Sequence, residues 1–190
     1  AARQNFANDP DVLIVQGDVL RPPFKVGVFD AGYTIGVLHH TPDPAAGLRC
    51  LTRTVREGGW VACCVYPRGE FYDYPSVARF RALRSKLGYR GALFYSWFSA
   101  YLLAPLFERM FRYGCLAEHA RRIERELLPV LHIPDARWRV LDIFDAITPE
   151  IASTHTWPEL RSWFESAGCR DVVQTPWCQT SAVGIASRDC

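Results

Sequence analysis

An apolar stretch that ends in a polar turn, Val26–Pro44, constrains the fold more than any other part of this sequence. Its apolar, partly β-branched residues are typical of a strand that is buried in a parallel sheet. Gly32 and Gly36 lie within it and allow another group to approach the backbone closely. Two adjacent histidines, His39 and His40, follow the apolar run. The stretch therefore predicts a core strand whose carboxyl end carries polar side chains, the place where open α/β sheets bind ligands.

The residues after this stretch predict a helix and a second strand. Asp43 is a candidate N-cap, and helical spacing of apolar residues predicts a helix over Pro44–Val55. We expect Gly58 and Gly59 to end that helix, because glycine tolerates the conformation in which helices terminate. The apolar run Trp60–Tyr66 then predicts a strand. A strand, a helix and a strand joined by short links indicate a βαβ unit.

Length and composition narrow the class of protein. A chain of 190 residues with 49% apolar residues indicates one folded domain. The net charge of +2 argues against a dedicated nucleic-acid binder. Seven cysteines without a CxxC pattern predict buried thiols in a reducing compartment, and the N-terminus has no signal-peptide pattern, so we expect a cytoplasmic protein. The five histidines are too scattered for a metal site, so we expect no metal.

The middle of the chain, residues 68–141, is a predicted helical insert. Its most apolar part, Ala92–Phe107, has 16 residues and contains Pro105, which is short for a membrane span. We expect a helix that packs on the core or forms a lid, with a peripheral membrane contact as the alternative. Residues 117–131 predict a further helix, and residues 138–148 predict irregular chain or a short strand.

The end of the chain predicts a helix and a hairpin. Thr156 and Glu159 have the spacing of a capping box, which marks the start of a helix. Two short strands, at residues 171–175 and 181–186, then close the domain as an antiparallel hairpin.

Six segments follow one another along the chain: Gln16-Gly17-Asp18, Pro23-Phe24, Phe29-Asp30, residues 36–44 (GVLHHTPDP), residues 55–60 (VREGGW) and residues 155–173 (HTWPELRSWFESAGCRDVV). Their order and spacing resemble the class I S-adenosylmethionine-dependent methyltransferases, most closely the small-molecule branch called type 11. The resemblance implies an α/β fold with a Rossmann-like methyltransferase sheet, mostly parallel, with a closing antiparallel hairpin and the helical insert. It also implies that residues 1–190 form a single partial methyltransferase domain.

One departure from the family pattern concerns the cofactor. The family's glycine-rich loop after the first strand, and the acidic residue that binds the ribose, have no counterpart here and would lie before Ala1. Residues 1–8 resemble the last turns of a helix, and Val12–Val15 a short strand that follows it. The resemblance therefore implies an N-terminally truncated domain. On its own the chain is expected to bind S-adenosyl-L-methionine weakly and to be inactive.

The resemblance also implies the cofactor-binding residues. Asp18 would accept a hydrogen bond from the adenine amino group and Val19 would donate its backbone N–H to the ring, because a carboxylate accepts and an amide donates. The alternative is that Asp18 is only a turn residue. Gly36 and Val37 would lie beside the methionine part, with a β-bulge as the alternative for Gly36.

The candidate catalytic residues are His39 and His40, since imidazole is suited to taking a proton from a methyl acceptor at neutral pH. His39 lies nearer the strand end and is the preferred base. The alternative is that His39 caps local backbone and His40 stabilises the turn. Tyr66, Tyr72 and Tyr74 follow the next strand and would line a partly apolar substrate pocket, with core packing as the alternative.

We therefore expect methyl transfer to a small or lipid-like acceptor. One alternative is a tRNA-modifying methyltransferase, which the arginines of the insert favour and the low net charge disfavours. The other is a non-catalytic methyltransferase-like protein. The expected partner is a small molecule, with a peripheral membrane contact through Ala92–Phe107 as a further possibility.

Overall fold

The centre of the molecule is a four-stranded mixed sheet. A computed structural model describes residues 2–187. In spatial order the strands are the first, second, fourth and third along the chain. They are β1 (Phe29–Ile35), β2 (Val55–Cys64), β3 (Cys169–Gln174) and β4 (Ser181–Ala186). β1 and β2 are parallel, with Ala31 opposite Trp60 and Ile35 opposite Cys64, whereas β2–β4 and β3–β4 are antiparallel.

This sheet confirms the α/β class and the closing antiparallel hairpin. The expectation of a mostly parallel sheet fits loosely, because only one of the three strand pairs in residues 2–187 is parallel. The reason is that β4 turns back from β3 and pairs directly with β2.

The helix between β1 and β2, α2 (Pro44–Thr54), begins as the sequence predicts. Asp43 caps it, since its Oδ1 accepts a hydrogen bond from the Ala46 N–H at 2.8 Å. Its end differs from the prediction, because the chain enters β2 directly at Val55 and the two glycines lie inside that strand. A Cβ at Gly59 would lie 2.5 Å from the Asp30 carbonyl oxygen, so the close pairing with β1 requires glycine there.

The last helix, α8 (Trp157–Ser166), confirms the capping box. The Thr156 hydroxyl accepts from the Glu159 N–H, and the Glu159 carboxylate accepts from the Thr156 N–H at 2.7 Å. Leu160 and Phe164 of this helix pack with Leu48 of α2 in the core under the sheet, and all three are fully buried.

The insert is mostly helical and has two apolar clusters of its own, and its last helix extends to Ile147, beyond the predicted end at residue 141. The prediction of irregular chain or a strand at residues 138–148 is wrong: Asp135 caps a helix there, with Oδ1 accepting from the Arg137 N–H at 2.7 Å. Ile143, Ala146 and Ile147 are buried on one side of it, at helical spacing. The insert helices are α3 (Pro75–Ala82), α4 (Arg84–Phe98), α5 (Ala104–Phe111), α6 (Gly114–Glu126) and α7 (Ala136–Ile147).

Two regions outside these elements complete the fold. A short helix, α1 (Ala2–Asn5), precedes Val12–Val15, which is exposed and forms no strand, contrary to the prediction. Short helical turns occur at Leu38–His40 and Phe71–Asp73, and a π-helical turn at Ser99–Leu103 joins α4 to α5. In residues 2–187 no helix is both long and apolar enough to cross a membrane.

Candidate active site

The carboxyl ends of β1 and β2 lie side by side and carry the candidate catalytic residues. The Gly36 N–H donates to the Cys64 carbonyl at 3.1 Å, which extends the parallel ladder beyond β1. The turn Leu38–His40 follows β1, and Tyr66 follows β2. Parallel pairing therefore brings the two histidines and the first tyrosine together, as the sequence predicts.

His39 is fully buried in this cluster. Its ring centroid lies 3.6 Å from that of Tyr66, and neither ring nitrogen has a hydrogen-bond partner within the described chain. Burial, followed by the positive charges of His40, His155 and Arg81, lowers the pKa of His39 to about 3. The imidazole is consequently neutral at physiological pH. In this conformation no atom of a methyl acceptor can reach the His39 ring.

His40 is half-buried and is oriented by a backbone contact. Its Nδ1 lies 2.9 Å from the Ile151 carbonyl, which only accepts, so in the neutral ring Nδ1 carries the hydrogen; Nε2 is itself buried and has no hydrogen-bond partner within residues 2–187. Nε2 lies 4.0 Å from Oδ2 of Asp145. Of the two histidines, His40 has the geometry of an oriented base.

Tyr66 connects the sheet to the insert. Its hydroxyl donates to Oδ2 of Asp145 on α7 at 2.5 Å. The Tyr72 ring stacks on it, with centroids 3.7 Å apart and an interplanar angle of 5°. Burial, and then the hydrogen bond to Asp145, raise the pKa of Tyr66, so its hydroxyl keeps the proton it donates.

Two members of this cluster were missed in the sequence. Asp145 lies in the segment that was expected to be irregular or a strand, so its position on a helix facing Tyr66 could not be recognised. Arg81 donates from Nε to the Ala146 carbonyl at 2.6 Å, and burial lowers its pKa. Helical periodicity in residues 136–147 is the signal that would have found Asp145.

Tyr74 is separate from the histidine cluster. Its ring lies 6.1 Å from Phe71, and it packs with an apolar cluster of the insert. Tyr66 and Tyr72 are thus brought to the histidines, whereas Tyr74 contributes to the packing of the insert.

The residues expected to bind adenine line a cavity beside β1. Asp18 and Val19 contribute to its wall with Gly32 and Tyr33, and its volume is about 380 Å³. Oδ1 of Asp18 accepts the Leu20 N–H at 2.9 Å, so this carboxylate holds a turn while its second oxygen stays exposed. Within residues 2–187, Val19 makes no hydrogen bond. A free acceptor and a free N–H donor beside apolar walls fit the edge of an adenine ring.

Gly36 lies just after β1 in the left-handed region, with φ of +71°. A Cβ there would meet no atom within 4 Å, so the space beside it is open. The register irregularity of β1 falls between Phe29 and Ala31, which rules out a bulge at Gly36 in this structure. The neighbouring Val37 is 47% exposed, so both residues are accessible to a ligand.

Comparison with known families supplies an independent line of evidence. Residues 1–63 match the family model of the methyltransferase domain. This stretch contains Asp18, Gly36 and both histidines. This third of the chain is therefore similar to a methyltransferase domain. The resemblance to class I methyltransferases is thereby confirmed, whereas the expected truncation stays a prediction.

Individual proteins give more distant similarity. An uncharacterized chloroplastic methyltransferase of Arabidopsis thaliana is 32% identical over 79 residues, which are 41% of this chain and 22% of that protein. A solved Thermotoga maritima methyltransferase, described as a possible histamine N-methyltransferase, is 14% identical with a TM-score of 0.48, and the match covers 96% of this chain and 67% of that one. Human N-acetylserotonin methyltransferase, solved with S-adenosylmethionine, is 13% identical with a TM-score of 0.47, covering 98% and 37%. The chain thus spans about a fifth of the plant relative.

Proposed function

We propose that this chain acts in S-adenosyl-L-methionine-dependent methyl transfer to a small or lipid-like acceptor. The observation that carries the proposal is the position of the histidine cluster, at the carboxyl ends of two parallel strands and inside a segment that matches a methyltransferase domain. This edge of an α/β sheet is where ligands bind.

The proposed cofactor contacts use the groups that are free in the structure. The exposed oxygen of Asp18 accepts from the adenine amino group and the Val19 N–H donates to the ring. The open space beside Gly36 and Val37 accommodates the methionine part. When bound, the cofactor supplies an activated methyl group.

The chain's own part in the chemistry is to position the acceptor and to take its proton. We assign the proton-accepting role to Nε2 of His40, because Nδ1 is held by the Ile151 carbonyl and the imidazole keeps one orientation. Tyr66 and Asp145 position His40 from the side of the insert. His39 packs beneath Tyr66 and, being fully buried, is assigned a positioning role.

The tRNA alternative receives less support from the arginines of the insert. Arg79 and Arg84 pair with Glu126 and Glu150, and Arg81 is held by the Ala146 carbonyl. These three side chains are therefore engaged within the protein, whereas Lys86 and Arg90 form no ion pair within residues 2–187, so the basic surface available to a polyanion is reduced but not removed.

The experiment is calorimetric titration of S-adenosyl-L-methionine into this chain and into the same chain joined to the sequence that precedes it in its gene. We expect binding by the longer protein and at least tenfold weaker binding with Asp18→Ala, because one charge-assisted hydrogen bond is lost. Asp11→Ala, at an exposed aspartate whose side chain makes no contact in the described structure, is the matched control and should bind normally.

Failure of the longer protein to bind would overturn the proposal and favour the non-catalytic alternative. Equal losses in Asp18→Ala and Asp11→Ala would refute the assigned adenine contact while leaving methyl transfer in place.

A further inference from the structure

The longest helical run of the insert presents a broad exposed apolar face. α4, the π-helical turn and α5 continue one another without a break in helical backbone after Gly88. Large apolar side chains form two adjacent rows on it, each with a spacing of four residues. We call these rows the aromatic face: Tyr89, Leu93, Trp97 and Tyr101 in one row, and Phe94, Phe98, Leu102 and Leu106 in the other.

The side chains of the aromatic face are well exposed and ordered with respect to one another. Phe94 is 74% exposed and Trp97 59%. The rings of Trp97 and Tyr101 stack with centroids 4.4 Å apart, which confirms that the row is continuous. Exposed apolar surface of this extent in a folded domain usually marks an interaction site.

The opposite side of the same helix is firmly packed, which fixes the orientation of the aromatic face. Ala92, Ser96 and Ala100 are buried there. The Ser99 and Tyr95 hydroxyls both donate to the Pro129 carbonyl, at 2.9 and 3.0 Å. Rotating the helix to hide the aromatic rings would break these contacts and expose small buried residues.

The helical segment that carries the aromatic face bears only positive charge. The sequence has no aspartate or glutamate between Arg84 and Phe107. The next acidic residue, Glu108, is neutralised by Arg139 at 2.7 Å. Basic side chains that form no ion pair within residues 2–187 flank both ends: Lys86, Arg90, Arg109 and Arg112.

We propose that the aromatic face docks on an anionic phospholipid bilayer, with the helix lying in the plane of the membrane interface. Aromatic rings are suited to the headgroup region, and lysine and arginine beside them are attracted to anionic lipid. The finding that no described helix can cross a membrane is consistent with a helix that lies on the surface. α4, which carries part of the aromatic face, packs against α7, the helix that supplies Asp145 to the candidate active site.

The test is co-flotation of the chain with vesicles of phosphatidylglycerol and phosphatidylcholine in equal parts, compared with pure phosphatidylcholine. We expect binding to the anionic vesicles, weakened by high salt because exposed charges are screened. The double variant Phe94→Gln/Trp97→Gln should partition onto the vesicles at least about tenfold more weakly, since it lacks two rings that the bilayer would bury. The double variant Arg90→Glu/Arg109→Glu should lose about the same factor in partitioning, because anionic lipid repels the two introduced carboxylates.

The matched controls lie on the hairpin, outside the aromatic face. Trp177→Gln and Arg170→Glu replace an exposed tryptophan and an exposed arginine there and should bind like the unmodified chain. Brominated lipid provides a second readout that does not require a disruptive change. We expect the bromine atoms to quench the tryptophan fluorescence of the unmodified chain. We expect less quenching in the Trp97→Phe variant, which still binds but lacks the tryptophan of the aromatic face.

Three outcomes would overturn the proposal: equal binding to neutral and anionic vesicles, unchanged binding by both double variants, or self-association that depends on the aromatic face without any vesicle binding. The last outcome would identify a second copy of this chain as the occupant. None of these readouts depends on cofactor binding, so either proposal, membrane docking or methyl transfer, can be refuted without refuting the other.

Discussion

At the scale of the residue, the most unusual feature is a fully buried histidine whose ring nitrogens have no hydrogen-bond partner within residues 2–187. His39 is neutral in the folded protein because burial disfavours its charged form, and its pKa falls to about 3. The free energy of unfolding therefore depends on pH, because the unfolded chain binds a proton at His39 more readily than the folded chain does.

We expect unfolding free energy to fall as pH drops below about 6.5, the ordinary pKa of histidine. Between that pH and about 3 the unfolded chain binds a proton that the folded chain excludes, so His39 costs about 2 kcal/mol at about pH 5. His39→Phe, which keeps a ring against Tyr66, should flatten this part of the profile. Urea unfolding at several pH values measures it, with Tyr33→Phe, a substitution at an exposed ring, as the control. An unchanged profile in His39→Phe would contradict the assignment.

The hydrogen bond from Tyr66 to Asp145 provides a second prediction. Tyr66→Phe removes the hydroxyl that joins the strand end to α7. We expect a loss of about 1 kcal/mol in unfolding free energy, the lower end for a bond to a charged group because Asp145 is exposed to water. Tyr33→Phe, at a tyrosine that is 75% exposed, should leave stability unchanged. Equal stability of both variants would show that this bond contributes nothing.

At the scale of the element, helix starts follow from local sequence. Asp43 and Asp135 each cap a helix with a carboxylate oxygen, and Thr156 forms a full capping box. These contacts span at most three residues, so sequence spacing alone is sufficient to place the first and third of them. Asp135 offers the same cap and was missed because the segment after it was interpreted as irregular chain or a strand.

We expect Thr156→Ala to lower unfolding free energy by about 1 kcal/mol, since the N-cap of α8 loses its acceptor. Thr156→Ser should restore most of it, because the hydroxyl returns. Thermal unfolding followed by circular dichroism measures both variants. A serine variant as unstable as the alanine variant would point to lost packing of the methyl group instead of a lost cap.

At the scale of the whole molecule, the sheet has an open side. β1 pairs with β2 on one edge, and its other edge forms no ladder within residues 2–187. Tyr33 and Ile35 are exposed on this strand, at 75% and 50%, and the exposed run Val12–Val15 lies before it. An open, apolar edge strand favours association with other chains.

We therefore expect poor solubility and concentration-dependent association of this chain. Tyr33→Lys should reduce association, because a charge on an edge strand opposes pairing with another sheet. Size-exclusion chromatography over a range of concentrations measures it. A sharp monomeric peak of the unmodified chain with cooperative melting would contradict the expectation.

Local sequence patterns predict the order of the core elements, the parallel βαβ unit and the caps of α2 and α8. They also place Gly36, His39, His40 and Tyr66 at one edge of the sheet. These features depend on periodicity and on contacts between near neighbours, which a single sequence records directly.

The remaining features depend on how distant parts of the chain pack together. Asp145 meets Tyr66 across 79 residues, β4 inserts beside β2 instead of extending a parallel sheet, and His39 is buried while His40 keeps an oriented lone pair. Each of these depends on which distant elements pack together. Long-range packing is set by the fit of whole surfaces, a property that local residue patterns do not encode.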